Sequence, residues 1–298
     1  MLLISIVIPT YNRAHVLPRA IDSIIAQTYS NWELLIVDDG SDDGTEELVA
    51  EYMTKEPRIK YFKRPEDRLR GGNGCRNIGA EYAAGEYVAY LDSDDYWRET
   101  RLAGCAGFIE KERPDCFYSG RILDNYSERI IGSSRAFKPG ETPLDFLLSR
   151  DALAVTSSFV LRKEVFRKFR WDEQLKRTQD WDFFIRVASK FEWQYFDNFD
   201  VVFVRKKGER KYIHIPSCLK VYRMYREQVS NFENANTYLR SMLEYCSKYY
   251  DNISYASEYF LLLKENNYSP SLRDRFQVGF SYLFYCLYRI KKFIYKTK

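Results

Sequence analysis

Histidine is scarce in this 298-residue chain, which has only His15 and His214. Two such distant residues assemble neither a Ser-His-Asp arrangement nor a two-histidine metal pair. Cysteine occurs six times, at 75, 105, 116, 218, 246 and 286, and never as C-x-x-C. That spacing gives no zinc or redox motif, and the thiols read as reduced, mostly buried groups of a cytosolic protein. A large charge excess is missing too: a net +4 does not provide the basic face that nucleic acid needs. No apolar run reaches the ~18 residues of a membrane span. The nearest, 276–288, is interrupted by Gln277 and Ser281. Internal repeats and low-complexity segments are absent. The start, Met1 to Pro9, has no basic leader or cleavage site and reads as a buried strand, not a signal peptide.

What is present is a core. Apolar residues make up 45% of the chain, which excludes a disordered protein. The length fits one large domain with an appendage. Over the first hundred residues strand and helix signals alternate. Leu3–Ile8 is a continuous apolar run, as in a parallel strand buried on both faces. Val16, Leu17, Ala20, Ile21, Ile24 and Ile25 have helical spacing within 15–27. Further strands are expected at 33–37, 59–62 and 87–91, with helices at 42–53 and 75–84. This alternation predicts an α/β fold of βαβ units with a mostly parallel, Rossmann-like sheet flanked by helices. From 115 to 223 the pattern is mixed, with a helix expected at 181–190 and a strand at 212–222. From 232 to 295 the chain reads as helices.

Polar clusters follow three of the predicted strands, at 9–13, 38–41 and 92–95. They are expected to converge on one sheet edge, where ligands of such folds bind. In Asp92-Ser93-Asp94, two carboxylates two residues apart supply hard oxygen ligands suited to magnesium or manganese. The same residues would also serve as a solvated turn capping the next helix. Asp38 and Asp39 could accept from a uracil N–H or ribose hydroxyls, with Ser41 or Asp42 capping the following helix. The stretch from Arg70 to Gly79 fails the G-x-G-x-x-G fingerprint, since Asn77 stands where the third glycine is needed. Its glycines still allow close backbone approach to a nucleotide, and Arg76 could meet phosphate. Asp180 lies at a predicted helix N-terminus, where the dipole favours its ionised form. Asp182 is the competing carboxylate.

Together, Val7-Ile8-Pro9-Thr10-Tyr11-Asn12-Arg13, Gln27-Thr28-Tyr29, Glu33 to Ser41, Arg76-Asn77-Ile78-Gly79 and Leu91 to Asp95 resemble the family 2 glycosyltransferases of the GT-A fold in order and spacing. The match is strong over 3–98, weaker to 226, and does not cover the C-terminal helices. The resemblance implies a GT-A catalytic domain at 1–228 with a helical extension at 229–298. Within the catalytic domain, 1–98 would bind nucleotide and 99–228 acceptor. It implies an inverting transferase, with a UDP-sugar or related nucleotide-sugar donor and a glycan or lipid-linked acceptor, in surface polysaccharide synthesis. Pro9, Thr10, Tyr11, Arg13, Asp38, Asp39, Arg76, Asp92 and Ser93 would contact the nucleotide. Asp94, with Asp92, would hold divalent manganese or magnesium. Asp180, after Gln179 where the family usually has Glu, would be the catalytic base.

The family's Tyr-Arg-x-His reads Tyr222-Arg223-Met224-Tyr225 here, so Tyr225 replaces the His. Either Asp94 and the diphosphate hold the metal, which is the preferred reading, or His214 substitutes. Arg226 could add charge near the leaving group. Rival readings are an NAD-dependent oxidoreductase, a nucleotidyltransferase and a catalytically inactive nucleotide-sugar binder. The glycine pattern and the retained Asp92, Asp94 and Asp180 argue against them. The tail from Arg289 to Lys298 has five cations and no acid. Two readings stay open for 276–298: peripheral contact with the inner face of the plasma membrane, or packing on the catalytic domain or a second subunit.

Overall fold

A computed structural model describes residues 2–124, 129–130, 135–149, 151–204, 214–248, 255–269 and 271. Its elements run β1 (Ile4–Thr10), α1 (Leu17–Ile25), β2 (Trp32–Asp38), α2 (Thr45–Lys55), β3 (Ile59–Lys63), α3 (Gly72–Tyr82), β4 (Tyr87–Tyr90), β5 (Tyr96–Trp97) and α4 (Arg101–Glu112). They continue as β6 (Cys116–Asp124), β7 (Arg129–Ile130), α5 (Pro143–Leu148), a 3-10 turn (Thr156–Ser158), β8 (Val160–Arg162), α6 (Lys163–Lys168), α7 (Gln179–Ala188) and β9 (Trp193–Val204). The last are α8 (Ile215–Tyr225), α9 (Phe232–Lys248) and α10 (Ala256–Glu265).

The strands form one sheet in the order β3-β2-β1-β4-β8-β6-β9-β5, with β7 beside β6. From β3 to β4 every pairing is parallel. Every residue of β1, β2 and β4 is buried, which explains their largely apolar sequences; the polar Ser5 and Glu33 within them satisfy each other by a hydrogen bond. Beyond β4 the expected parallel pattern stops. The place beside β4 is taken by β8 running the opposite way, β6 is antiparallel to β8, and only β6 and β9 pair in parallel. The sheet is therefore mixed, because the chain after β4 enters β5 and α4 instead of crossing back alongside β4.

Helix α3 begins at Gly72, earlier than the apolar pattern indicates, and follows Gly71 at φ 129°, a conformation open to glycine. It lies against β1 at Gly79, where a Cβ would sit 2.3 Å from Val7 Cγ1. The poor helix propensity of its glycines is overridden by this close packing. Helix α2 starts at Thr45; Ser41 and Asp42 do not cap it but bond Asn12 instead.

The strand expected at 212–222 is helix α8 where it is described. His214 caps it by accepting from the Ser217 N–H, and Pro216 stands in its first turn. These are helix-start signals that outweigh the β-branched residues around them.

The chain divides into two compact units, one of 1–138 and 150–211, the other of 139–149 and 212–298. The passage at 211/212 differs from the expected boundary after 228, because α8 groups with the helical unit, and α5 joins it as well. There Asp145, at the start of α5, accepts from the N–H groups of Ser230 and Asn231 and from both Ser230 Oγ and Thr142 Oγ1. Among the described residues no helix is long and apolar enough to cross a membrane. Cys75, Cys105, Cys116, Cys218 and Cys246 are free thiols. Cys286 and the cationic tail lie outside the described residues.

Candidate active site

Three loops meet at one edge of the first unit. The loop after β1 is stitched to the loop after β2 by Asn12 N–H to Ser41 Oγ (2.8 Å), Asp42 N–H to Asn12 Oδ1 (2.9 Å) and Asp39 N–H to the Thr10 carbonyl (2.9 Å). It reaches the loop after β4 through Arg13, 3.7 Å from the Asp94 carboxylate, and Arg19 in α1 donates to the Asp94 carbonyl at 2.8 Å. The expected convergence of the 9–13, 38–41 and 92–95 clusters is observed. Pro9 lies within β1, opposite Val37, and is buried.

The two adjacent aspartates after β2 behave differently. Asp38 turns inward: its Oδ1 accepts from the Gly40 and Ser41 N–H groups and from Ser41 Oγ, and its Oδ2 from Tyr61 Oη at 2.6 Å. Asp39 faces a cleft of about 450 Å³, pairs with Arg64 and accepts from the Gly71 N–H at 2.8 Å. Tyr11, Arg70, Glu173, Lys176 and Gln179 share the cleft wall. The Thr10 hydroxyl, beside Asp39, is buried and lacks a hydrogen-bond partner. Its neighbour Tyr11, not Thr10 itself, lines the cleft.

Helix α3 ties the site together. Arg76, almost fully buried, donates from Nη1 to Asn73 Oδ1 and from Nη2 to Asp92 Oδ1 at 2.7 Å, with its guanidinium 5.0 Å from the Trp171 ring centroid. Asn73 Nδ2 donates to the carbonyls of Asp172 (2.7 Å) and Leu175 (3.1 Å). Asn77 both donates to the Trp171 carbonyl (3.0 Å) and accepts from the Trp171 N–H (2.9 Å). Glu173 accepts from Asn77 and Arg68. One helix thus positions the Asp92 loop and the segment leading into α7.

Asp180 is the second residue of α7, one after Gln179 on the cleft wall and two after Thr178, whose φ is 59°. Its Oδ1 accepts from the Trp181 N–H at 3.0 Å. Burial pushes its carboxyl up to about 6, helped by the nearby charge of Asp92, while the Trp181 N–H and Arg76 pull down. The rival Asp182 is buried and paired with Arg186 at 2.6 Å within α7, a structural role.

The Asp92–Asp95 turn is anchored by Ser157, which accepts from the Asp92 N–H (3.1 Å) and donates to Asp95 Oδ2 (2.6 Å). Ser93 is buried, whereas the Asp94 side chain is half exposed. Burial, followed by the charges of Asp92 and Asp94, holds Asp95 well above the usual carboxylate range. Such concentrated negative charge fits a divalent cation. Among the described residues no three Asp, Glu, His or Cys gather as an enclosing ligand set. A fitting ion would therefore use one or two carboxylates and take its other ligands from diphosphate and water. His214 and Tyr225 belong to the helical unit, where His214 Nδ1 lies 2.7 Å from Ser217 Oγ.

Asn73, Glu173 and Arg121 also stand at the site and were not singled out in the sequence. Asn77 adjoins Arg76 in a recognisable motif, but nothing local marks the others.

Residues 5–170 match the family described as Glycosyl transferase family 2. The chain is 42% identical over 131 residues to UDP-Glc:alpha-D-GlcNAc-diphosphoundecaprenol beta-1,3-glucosyltransferase WfgD of Escherichia coli. That alignment covers 44% of this chain and 49% of WfgD, so the chain spans about half of that relative's length. The S. aureus TarS 1-349 structure with UDP-GlcNAc superposes with a TM-score of 0.61 at 23% identity, covering 78% of this chain and 67% of that one. Mannosyltransferase PcManGT of Pyrobaculum calidifontis, solved with GDP-Man and Mn2+, gives 0.55 at 18% identity, covering 96% and 82%. These likenesses carry the fold.

Proposed function

The chain belongs to glycosyl transferase family 2, and from that membership we propose that it transfers a sugar from a nucleotide-diphosphate donor, read as a UDP-sugar, to a hydroxyl of a glycan or lipid-linked acceptor in surface polysaccharide assembly. The observation that carries the reading is that Asp39, the Asp92–Asp95 turn and Asp180 are held around α3, with Asp39 and Gln179 on one cleft wall. WfgD, named for a nucleotide donor and a lipid-diphosphate acceptor, supports the substrate classes.

Thr10, Tyr11 and Asp39 bind the nucleoside, with Asp39 taking the role first divided between Asp38 and Asp39. Asp38 shapes the turn that presents it. Arg76 and Arg13 supply cations at the diphosphate end, and Arg76 steadies Asp92. Asp94 and Asp92 would hold manganese or magnesium, which when bound neutralises the charge growing on the diphosphate. Asp180 accepts the proton of the attacking acceptor hydroxyl as its oxygen bonds to the anomeric carbon and the nucleoside diphosphate leaves from the opposite face. A single displacement of this kind inverts configuration. Its raised proton affinity suits a base operating near neutrality.

The test is nucleotide release from a panel of UDP- and GDP-sugars with manganese, for wild type and D180N. We expect UDP-sugar turnover that D180N lowers by about 10²- to 10⁴-fold, with UDP affinity intact. A wild-type rate in D180N removes Asp180 from the mechanism, and an absence of release with every donor removes the transferase reading.

A further inference from the structure

The guanidinium of Arg121 feels the charge of the candidate base and has no role assigned above. Arg121 lies in β6 at a break in register: Ser119 pairs with Phe196, but Arg121 pairs with Val201. Bulges of this kind occur beside active sites and re-aim a side chain. Here the guanidinium rests 4.7 Å from the Phe203 ring centroid, within reach of the charges of Asp95 and Asp180. Its Nε is buried without a partner, and among the described residues no hydrogen bond or ion pair engages the group.

Neighbouring arginines are unlike it. Arg101, deeper in the fold, directs its terminal nitrogens to Ser119, Asn198 and the Ser158 carbonyl. Arg76 gives its own to Asn73 and Asp92. For Arg121, burial pushes the guanidinium below its ordinary value, and the pull of Asp95 and Asp180 does not offset that. A desolvated cation with an empty fork of donors is costly unless a partner arrives. The fork matches a planar pair of phosphate oxygens.

We propose that Arg121 binds the acceptor, its guanidinium taking a phosphate or diphosphate oxyanion that the acceptor carries near the hydroxyl facing Asp180. The inference rests on the transferase reading and narrows it to a phosphorylated acceptor, with the lipid-linked diphosphates as the committed class. The donor diphosphate has Arg76 at the Asp92 turn, so Arg121 serves the second substrate. A clamp there fixes the acceptor's orientation and selects against neutral glycosides.

The test uses the full chain saturated with UDP, so that the donor site is filled. Decyl diphosphate, inorganic pyrophosphate and decanol are titrated calorimetrically into wild type, R121A and R121K. Decyl diphosphate should bind wild type saturably, R121A should bind it about tenfold or more weakly, and R121K should fall between. Decanol should not distinguish the proteins. Tighter binding of decyl diphosphate than pyrophosphate assigns a lipid-linked source, and equal affinity a soluble phosphorylated acceptor; either supports the oxyanion clamp. Equal decyl diphosphate affinity in wild type and R121A, or no binding by wild type, overturns it. A parallel loss of UDP affinity in R121A overturns it as well, by giving the guanidinium to the donor. Failure of wild type to bind UDP brings down the transferase reading itself. Unchanged UDP affinity and melting temperature in R121K show that the fold is intact.

Discussion

As the proposed base, Asp180 would couple activity and stability in opposite directions. A base works only when ionised, so kcat/KM should fall as pH drops through about 6 and level off above it. Its folded proton affinity exceeds that of the unfolded carboxyl, 3.8. Protonated Asp180 therefore favours the fold at low pH, and that contribution is lost as pH rises through about 6. D180N, neutral throughout, should be more stable than wild type at pH 7.5, by as much as about 3 kcal/mol, an advantage that shrinks to about 1 kcal/mol near pH 4.5 and is lost below the unfolded value of 3.8. Thermal melts at the two pH values check it. Arg76 and Asp92 were visible in the sequence because they occupy short, dense motifs. Asp39 could not be separated from Asp38 because the choice depends on Tyr61 and Arg64, more than twenty positions away. Arg121 carries no local mark at all; only the register break in β6 and its electrostatic neighbours reveal it.

At the scale of elements, α3 bears most of the site and has the least tolerance. G79A places a methyl against Val7 and should cost about 1–3 kcal/mol, read from urea unfolding. Strands β1, β2 and β4 were legible because full burial leaves mostly apolar runs. The start of α3 and the helical nature of α8 were not. In α3, tertiary contacts override glycine's poor propensity, and in α8 a capping histidine and proline govern a segment whose start, at His214 and Ile215, reads as strand-like. Asp145 is another element-level device. Its bonds to Ser230, Asn231 and Thr142 outweigh burial and hold its carboxyl below the usual range. This stabilisation is present above the unfolded value of 3.8 and lost as pH falls through the lower folded value. D145A should therefore destabilise the helical unit by about 1–3 kcal/mol at pH 7, an effect that shrinks in acid and is measurable by hydrogen exchange in α9.

For the whole molecule, residues 139–149 leave the first unit's sequence to serve the second. A chain truncated after 211 strands Leu144, Phe146, Leu147 and Leu148, which are buried in the intact protein. That truncation should aggregate or elute as oligomers in size-exclusion chromatography, whereas the full chain should not. No local pattern announces this exchange, because the partner segment lies some eighty residues downstream. The Arg76–Trp171 contact gives the chain an optical use. The indole is nearly solvent-free, and the cation above it is bound to Asp92. Any anion that draws on Arg76 alters the electric field at the ring, so tryptophan emission should shift on UDP addition and W171F should lose that signal. With that outcome the protein would carry its own fluorescent gauge of nucleotide occupancy, and affinities could be titrated without a label or a known acceptor.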